Sequence, residues 1–317
     1  MTCKNHPVMT KALCRATVAD NLSISENFYR LKLLLKGNCA KSFSSTLPGQ
    51  FAEFELSGLS VPDKAQISEN LSDASQRTLM LRRPFSFADV TIVDRQNVTL
   101  DVLYCVLGPG TLRMKNLKPG DEINLIGPLG NGFSIPKNKK HALLVAGGMG
   151  APPIQHLAKY IQKNYPNIEK IAFVGAKSVS ELPYFNIDRK VITAQAGDAI
   201  AEFNASATKS IITTDDGSAG TKGFVTEAME KWIIDNAPPG RECVIYACGP
   251  EPMLKSVARI AKKHAIECQV SLERRMACGI GLCQSCAVEV IMPDSDKTCY
   301  KLCCKDGPVF DAEKIVW

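Results

Sequence analysis

Four cysteines set the tightest constraint on this chain. Cys278, Cys283 and Cys286 follow one another as C-x4-C-x2-C, and Cys304 comes after seventeen intervening residues. That spacing belongs to a [2Fe–2S] site, in which three thiolates come from one loop and the fourth from a distant segment. Gly279 and Gly281 let such a loop turn tightly and bring its N–H groups close to the sulfurs. A zinc site of four cysteines is the competing reading, but those sites more often use paired C-x2-C knuckles, and only one is present. Cys299, Cys303 and Cys304 compete for the fourth position, and spacing alone does not choose among them.

The remaining cysteines bear on the compartment. The count is thirteen, an odd number, and Cys3, Cys14, Cys39, Cys105, Cys243, Cys248 and Cys268 are scattered. The first twenty residues hold no apolar run of signal-peptide length. Free or metal-bound thiols in a cytoplasmic protein are therefore expected, rather than a disulfide scaffold. The longest uncharged stretch, Ala142 to Ile154, is too short to span a membrane and is broken by glycine and proline. An excess of 38 Lys and Arg over 32 Asp and Glu, spread along 317 residues, does not point to nucleic acid.

Periodicity divides the chain into three. Residues 1–136 read as short strands: Arg15 to Val18, Phe28 to Leu35, Phe51 to Leu56, Val98 to Val106 and Glu122 to Ile126. Tyr29, Leu31, Leu33 and Leu35 alternate as one buried strand face requires. Pro48-Gly49, Pro109-Gly110, Pro119-Gly120 and Gly127-Pro128 punctuate these strands, which predicts a closed antiparallel barrel. Residues 57–76 are polar and read as an exposed, mobile loop insertion. After a basic linker, Pro136 to His141, the runs Ala142 to Ala146, Ile171 to Gly175, Ile211 to Thr213 and Val244 to Cys248 are continuously apolar, as buried parallel strands are. Helical spacing lies between them, at Ile154, Leu157, Ala158 and Ile161, at Val225 to Ile233 and at Leu254 to Ala261. Residues 137–270 are thus an α/β doubly wound domain. Residues 271–317 form a small cysteine-rich domain that needs a staple to fold. The fold class is α+β multidomain: a β-barrel, a doubly wound nucleotide domain and a small C-terminal [2Fe–2S] domain.

Three further motifs carry chemistry. Gly147-Gly148-Met149-Gly150 ends an apolar run and opens a helix at Ala151-Pro152-Pro153, where free N–H groups can meet a pyrophosphate. Arg83-Pro84-Phe85-Ser86 ends a strand at Leu79 to Leu81, and its arginine can pair with a diphosphate. Cys248-Gly249-Pro250 sits at the carboxyl end of a parallel strand, where such sheets bind ligands. Each alone also reads as an ordinary turn, and Cys248 as a small buried hydrophobe. His6, His141, His156 and His264 show no metal-binding or catalytic spacing, and Asp215-Asp216 reads as a turn.

In their order along the chain, these motifs resemble the ferredoxin–NADP reductase superfamily. More narrowly, they resemble the electron-transfer subunits of NAD-dependent dihydroorotate dehydrogenase. The resemblance covers nearly the whole chain and is closest at Glu273 to Gly281 and Cys304 to Phe310, with further matches at Gly127 to Phe133 and Asp215 to Ser218. It implies FAD on residues 1–136: Arg83 to Ser86 would hold it, with Arg83 at the diphosphate and Ser86 near the flavin N5. Leu103, Tyr104 and Cys105 would pass along the flavin, and Gly110 and Thr111 would take the diphosphate. It implies NAD over Gly147, Gly148 and Gly150, with Cys248, Gly249 and Pro250 bordering the nicotinamide. Cys304, which precedes K-D-G-P-V-F, becomes the favoured fourth cluster ligand. Lys177, where an arginine would bind a 2′-phosphate, leaves NAD favoured over NADP. Arg274 and Arg275 read as solvated charge or as contacts to an acidic partner. Residues 57–76 and Ala194 to Lys209 are longer than the family pattern.

The resemblance also implies a partner, a catalytic subunit with FMN where dihydroorotate becomes orotate, joined with this chain in a heterotetramer. Electrons would pass singly to the [2Fe–2S] cluster, then to FAD, and leave as a hydride to NAD+. Such a chain needs no acid or base of its own for hydride transfer. Two alternatives share many of these features. One is an electron-transfer subunit serving ferredoxin, sulfide or hydrogenase chemistry. The other is a zinc-stapled, non-enzymatic module on the same fold.

Overall fold

The computed structural model describes residues 11–184, 197, 199–293, 295 and 297–317. Cys3, His6 and residues 194–196 and 198 of the expected second insertion lie outside them.

Seven strands form the first sheet: β1 (Ala12–Ser23), β2 (Phe28–Lys36), β3 (Phe51–Phe54), β4 (Arg83–Ser86), β5 (Asp89–Ile92), β6 (Asn97–Cys105) and β7 (Glu122–Leu129). Their order is β4-β3-β7-β1-β2-β6-β5, and every pairing is antiparallel. The two edge strands, β4 and β5, are joined by Phe87 and Ala88 alone. Flat, seven strands would place the edges about 29 Å apart. The link from Ser86 to Asp89 reaches only about 10 Å. The sheet must therefore curl round on itself, but β4 and β5 do not pair, so the expected closed barrel is open along that seam. Leu31, Leu33 and Leu35 of β2 are buried on its inner face with Phe54, Leu100 and Val102.

Several local expectations are corrected. Leu79 to Leu81 is not a strand; the strand is Arg83–Ser86 itself, and a proline is tolerated there because β4 is an edge. Gly127-Pro128 lies within β7, not in a turn, and a side chain at Gly127 would strike Phe43 and Ala52. Residues 57–76 are not a loose loop. They hold two single 3₁₀ turns and the short helix α2 (Ser72–Gln76), and Leu71 and Ala74 are buried in the barrel core. Arg113, in helix α3 (Pro109–Met114), ties this insertion down by donating to the Arg77 carbonyl at 3.0 Å. Cys14 of β1 and Cys39 of helix α1 (Gly37–Phe43) form a disulfide, against the expectation of free thiols.

The second sheet contains β8 (His141–Gly147), β9 (Glu169–Ala176), β10 (Lys209–Thr214), β11 (Thr221–Lys222), β12 (Cys243–Cys248), β13 (Glu267–Ser271) and β16 (Val309–Asp311). Its order is β11-β10-β9-β8-β12-β13-β16, parallel except for β16. Helices α4 (Ala151–Asn164), α6 (Val225–Asn236) and α7 (Glu251–Lys263) cover it, while α5 (Ala201–Asn204) is a single turn. Ile154, Leu157, Ala158 and Ile161 of α4 are all fully buried, as their spacing requires. The basic stretch before β8 is no free linker, because Lys139 is buried and pairs with Glu267 at 2.8 Å.

The C-terminal segment does not stand alone. It adds a hairpin, β14 (Ala287–Ile291) with β15 (Thr298–Leu302), and returns as β16 beside β13. Val288, Val290, Cys286, Cys303 and Cys304 share one core with Val270 and Ile260 of the second sheet and its helix.

The two sheets meet through charge as well as packing. Lys159 of α4 pairs with Asp89 of β5 at 2.8 Å, and His156, one helical turn earlier, is buried with no partner at Nδ1 among the described residues. Burial holds this imidazole neutral, its pKa pushed down to about 4. An unfolded histidine takes up its proton near 6.5, so the unfolded chain binds more protons between about 6.5 and 4. Stability should fall as pH drops through that window, by up to about 3 kcal/mol from this group. Urea unfolding between pH 7 and 4 should show a steeper loss in the wild type than in His156→Gln; equal slopes would contradict this.

Candidate redox site

Antiparallel pairing sets Ser86 opposite Phe51, Phe85 opposite Ala52, Pro84 opposite Glu53 and Arg83 opposite Phe54. Residues opposite one another share a face. Phe85 thus turns to the barrel core, its ring 5.1 Å from that of Phe54, while Ser86 and Glu53 turn outward. Arg83 directs its guanidinium at the Leu81 and Arg82 carbonyls, 2.9 and 3.0 Å away. Its stem passes Gly110, where an added Cβ would lie 3.5 Å from Arg83 Cγ. The strand and the α3 turn thus converge, as diphosphate binding by both requires. Thr111 is more constrained than expected, since its Oγ1 accepts the N–H groups of Leu107 and Gly108 at 3.0 and 3.3 Å. Met80 and Leu107 are left largely exposed, at 89% and 78%. A planar aromatic ligand across this face would cover such surface.

Tyr104 departs from its expected place. Its ring stacks on Tyr29 inside the barrel and its hydroxyl donates to Asn21 Oδ1 at 3.0 Å, with burial raising its pKa far above the usual value. Leu103 is buried too. Only their backbone, with the half-buried Cys105, remains for a ligand on this side; burial and then Glu181 push the Cys105 thiol up.

On the second sheet, Gly147, Gly148 and Pro250 line a cavity of about 520 Å³ with Lys177, Asp215 and Phe224. It opens at the carboxyl ends of β8, β9, β10 and β12, where ligands of doubly wound sheets bind. Gly150 serves packing instead: a side chain there would collide with the Cys248 carbonyl. Cys248 is buried behind the cavity, and burial raises its thiol well above the ordinary range. The sequence reading missed Phe224, Thr226 and Met253. An aromatic after Gly223, 62% exposed, is the one signal that could have marked the rim.

The cluster cysteines meet in pairs. Leu282 and Cys283 N–H groups both donate to Cys278 Sγ at 3.4 Å, which sets Cys283 beside Cys278. Cys304 N–H donates to Cys286 Sγ at 3.4 Å, which sets Cys304 beside Cys286. Ser285, first, and then Cys278 pull the Cys283 thiol down to about 6, while burial pushes Cys304 up to about 12. Cys303 turns away, donating its thiol to the Leu272 carbonyl at 3.4 Å. Cys299 lies in β15 opposite Val290. A [2Fe–2S] cluster carries two cysteines on each iron, so two pairs of thiols suit it. Among the described residues, no three such side chains gather closely enough for a single metal ion, as a four-cysteine zinc site demands. Arg274 is not simply solvated, since it pairs with Glu251 at 2.8 Å.

Glu53, also missed from the sequence, closes this junction. It is fully buried, and a side chain on Gly279 would overlap its carboxyl. Burial, opposed by Arg83 and Arg82, raises its pKa to about 7. A lone carboxyl in the apolar run Phe51-Ala52-Glu53-Phe54 was its signal.

Residues 273–316 match the iron–sulfur cluster binding domain of dihydroorotate dehydrogenase B, and residues 144–259 match an oxidoreductase NAD-binding domain. A dihydroorotate dehydrogenase B (NAD(+)) electron transfer subunit from Fusobacterium nucleatum is 34% identical over 301 residues, 94% of this chain and 96% of that one. Its counterpart from Caldanaerobacter subterraneus is 33% identical, covering 96% and 98%. Among solved structures, an NADH-dependent reduced ferredoxin–NADP oxidoreductase studied for electron bifurcation superposes with a TM-score of 0.69 at 26% identity, over 96% of this chain and 90% of that one. A ferredoxin–NADP+ reductase from Neisseria gonorrhoeae shares the fold at 13% identity and a TM-score of 0.52, over 80% and 91% of the two chains. With that identity sustained over nearly its whole length, the chain belongs to the family of dihydroorotate dehydrogenase B electron transfer subunits.

Proposed function

We propose that this chain carries electrons from the FMN of a dihydroorotate-oxidising partner subunit to NAD+, in a cytoplasmic heterotetramer. The observation that carries this reading is the pairing of Cys278 with Cys283 and Cys286 with Cys304 beside the R-P-F-S strand. Residues 1–136 are the FAD domain, 137–270 the NAD domain and 271–317 the cluster domain. Cys278, Cys283, Cys286 and Cys304 are the cluster ligands.

When bound, the cluster and FAD supply the exchange between single-electron and hydride transfer. The chain's own residues bind and orient. Arg83 neutralises the FAD diphosphate, and the neighbouring Gly110 admits it closely. Gly147 and Gly148 present backbone at the mouth of the NAD cavity, and Pro250 bounds its nicotinamide end. Ile280 and Leu282, on the cluster loop itself, are 36% and 76% exposed. We assign this apolar tip to the partner subunit. Likeness to the NADH-dependent oxidoreductase over nearly the whole chain supports a second reading, a subunit serving another electron partner. Co-purification of the catalytic subunit separates the two.

The direct test is the anaerobic absorbance spectrum of the purified full chain, with iron, zinc and flavin assays on one sample. One FAD and two irons per chain, bleached by NADH, is the expected result; a colourless protein with one zinc would sink the reading. Cys304→Ser should lose the iron and its visible absorbance while Cys303→Ser keeps both, and the reverse would move the fourth ligand to Cys303. Arg83→Ala should weaken FAD binding about 10- to 100-fold, the range for one charge-assisted contact, in a flavin titration.

A further inference from the structure

Both carboxyl oxygens of Glu53 are buried without a hydrogen-bond partner among the described residues. An unpartnered buried carboxyl is costly, whereas an apolar side chain of similar size packs there freely. Packing alone therefore does not account for a glutamate at this position. The nearby arginines do not satisfy it: Arg82 is committed to Glu55 at 2.8 Å, and Arg83 to the two carbonyls already named.

Position supplies the account. On β3, Glu53 stands opposite Pro84 and diagonal to Ser86, a spacing of about 7–8 Å on a shared face. On its other side it meets Gly279, the residue after Cys278, where a Cβ would overlap its Cγ, Cδ and Oε1. The carboxyl thus separates the strand assigned to FAD from the loop assigned to the cluster. We propose that Glu53 is a positioning residue of the electron path, whose carboxyl hydrogen-bonds a bound redox group at this junction and sets the spacing between loop and strand. The inference rests on the cofactor assignment made above. The bonding edge belongs either to an acceptor atom of the flavin ring or to the cluster sulfurs, and the O–H of a protonated carboxyl can donate to both.

The test uses the full chain purified anaerobically with its cofactors, as wild type, Glu53→Leu and Glu53→Gln. Leucine keeps the bulk and removes the hydrogen bond; glutamine keeps a donor and an acceptor. Iron and FAD content, the two midpoint potentials by spectroelectrochemical titration, and the electron paramagnetic resonance spectrum of the reduced cluster are read. Glu53→Leu should shift one potential at full cofactor content, and Glu53→Gln should return it to the wild-type value. A shift of the flavin couple assigns the bond to the flavin; a shift of the cluster couple, with an altered resonance spectrum, assigns it to the cluster. Unchanged potentials and spectrum in loaded Glu53→Leu overturn the proposal, as does a Glu53→Gln protein displaced as far as the leucine variant. If Glu53→Leu does not hold its cofactors, Glu53→Gln decides: wild-type values support the proposal, and displaced values overturn it. Wild-type protein lacking iron and FAD overturns the cofactor assignment and this inference with it, a result distinct from normal loading with inert variants.

Discussion

Everything at the redox site depends on how the segment after Cys303 is gripped. Asn131, just beyond β7, donates its side-chain N–H to the Lys305 and Asp306 carbonyls at 3.3 and 2.9 Å. Its backbone N–H donates to Gly307, while Leu272 donates to the Pro308 carbonyl. The following residues pair with β13 as β16. Cys304 is thereby fixed from the barrel side and from the sheet side at once. The loop bearing Cys278 to Cys286 has little regular structure of its own, whereas Cys304 beside it is already held. The cluster domain is in this sense an edge of the second sheet, bridged to the first.

That bridge explains why the two sheets must be fixed relative to one another. Phe51 and Leu129 of the barrel lie in the core of the second sheet, and the Asp89–Lys159 pair adds a charged tie elsewhere. Glu53 lies where three segments meet, beside the R-P-F-S strand and under the cluster loop. The cavity of the second sheet, by contrast, is built by strand ends and glycines together with residues of α6 and α7.

Legibility in the sequence follows the range of the interactions. Helix α4 was readable because Ile154, Leu157, Ala158 and Ile161 repeat on one buried face, a purely local pattern. The C-x4-C-x2-C loop was readable for the same reason. Strand β4 was misplaced by a few residues because Leu79 to Leu81 is more apolar than Arg83 to Ser86. Apolarity there is burial only for Leu79, while Met80 and Leu81 are exposed. The Cys14–Cys39 disulfide, the anchoring of residues 57–76 by Arg113 and the burial of Tyr104 all depend on tertiary contacts that no spacing encodes. Spacing did not separate Cys303 from Cys304, and only the resemblance favoured Cys304; in the structure the Cys303 thiol turns to the Leu272 carbonyl while Cys304 donates its N–H to Cys286 Sγ.

The central claim is that this chain joins an NAD cavity to a four-cysteine cluster through a flavin held between them. Anaerobic rapid mixing of the loaded full chain with NADH, followed by optical and electron paramagnetic resonance detection, tests it most directly. The account predicts that flavin absorbance falls first and the resonance of the reduced cluster then appears in the same molecules. Flavin reduced by NADH beside a cluster that stays oxidised on every timescale, though a chemical reductant reduces it, would contradict the account.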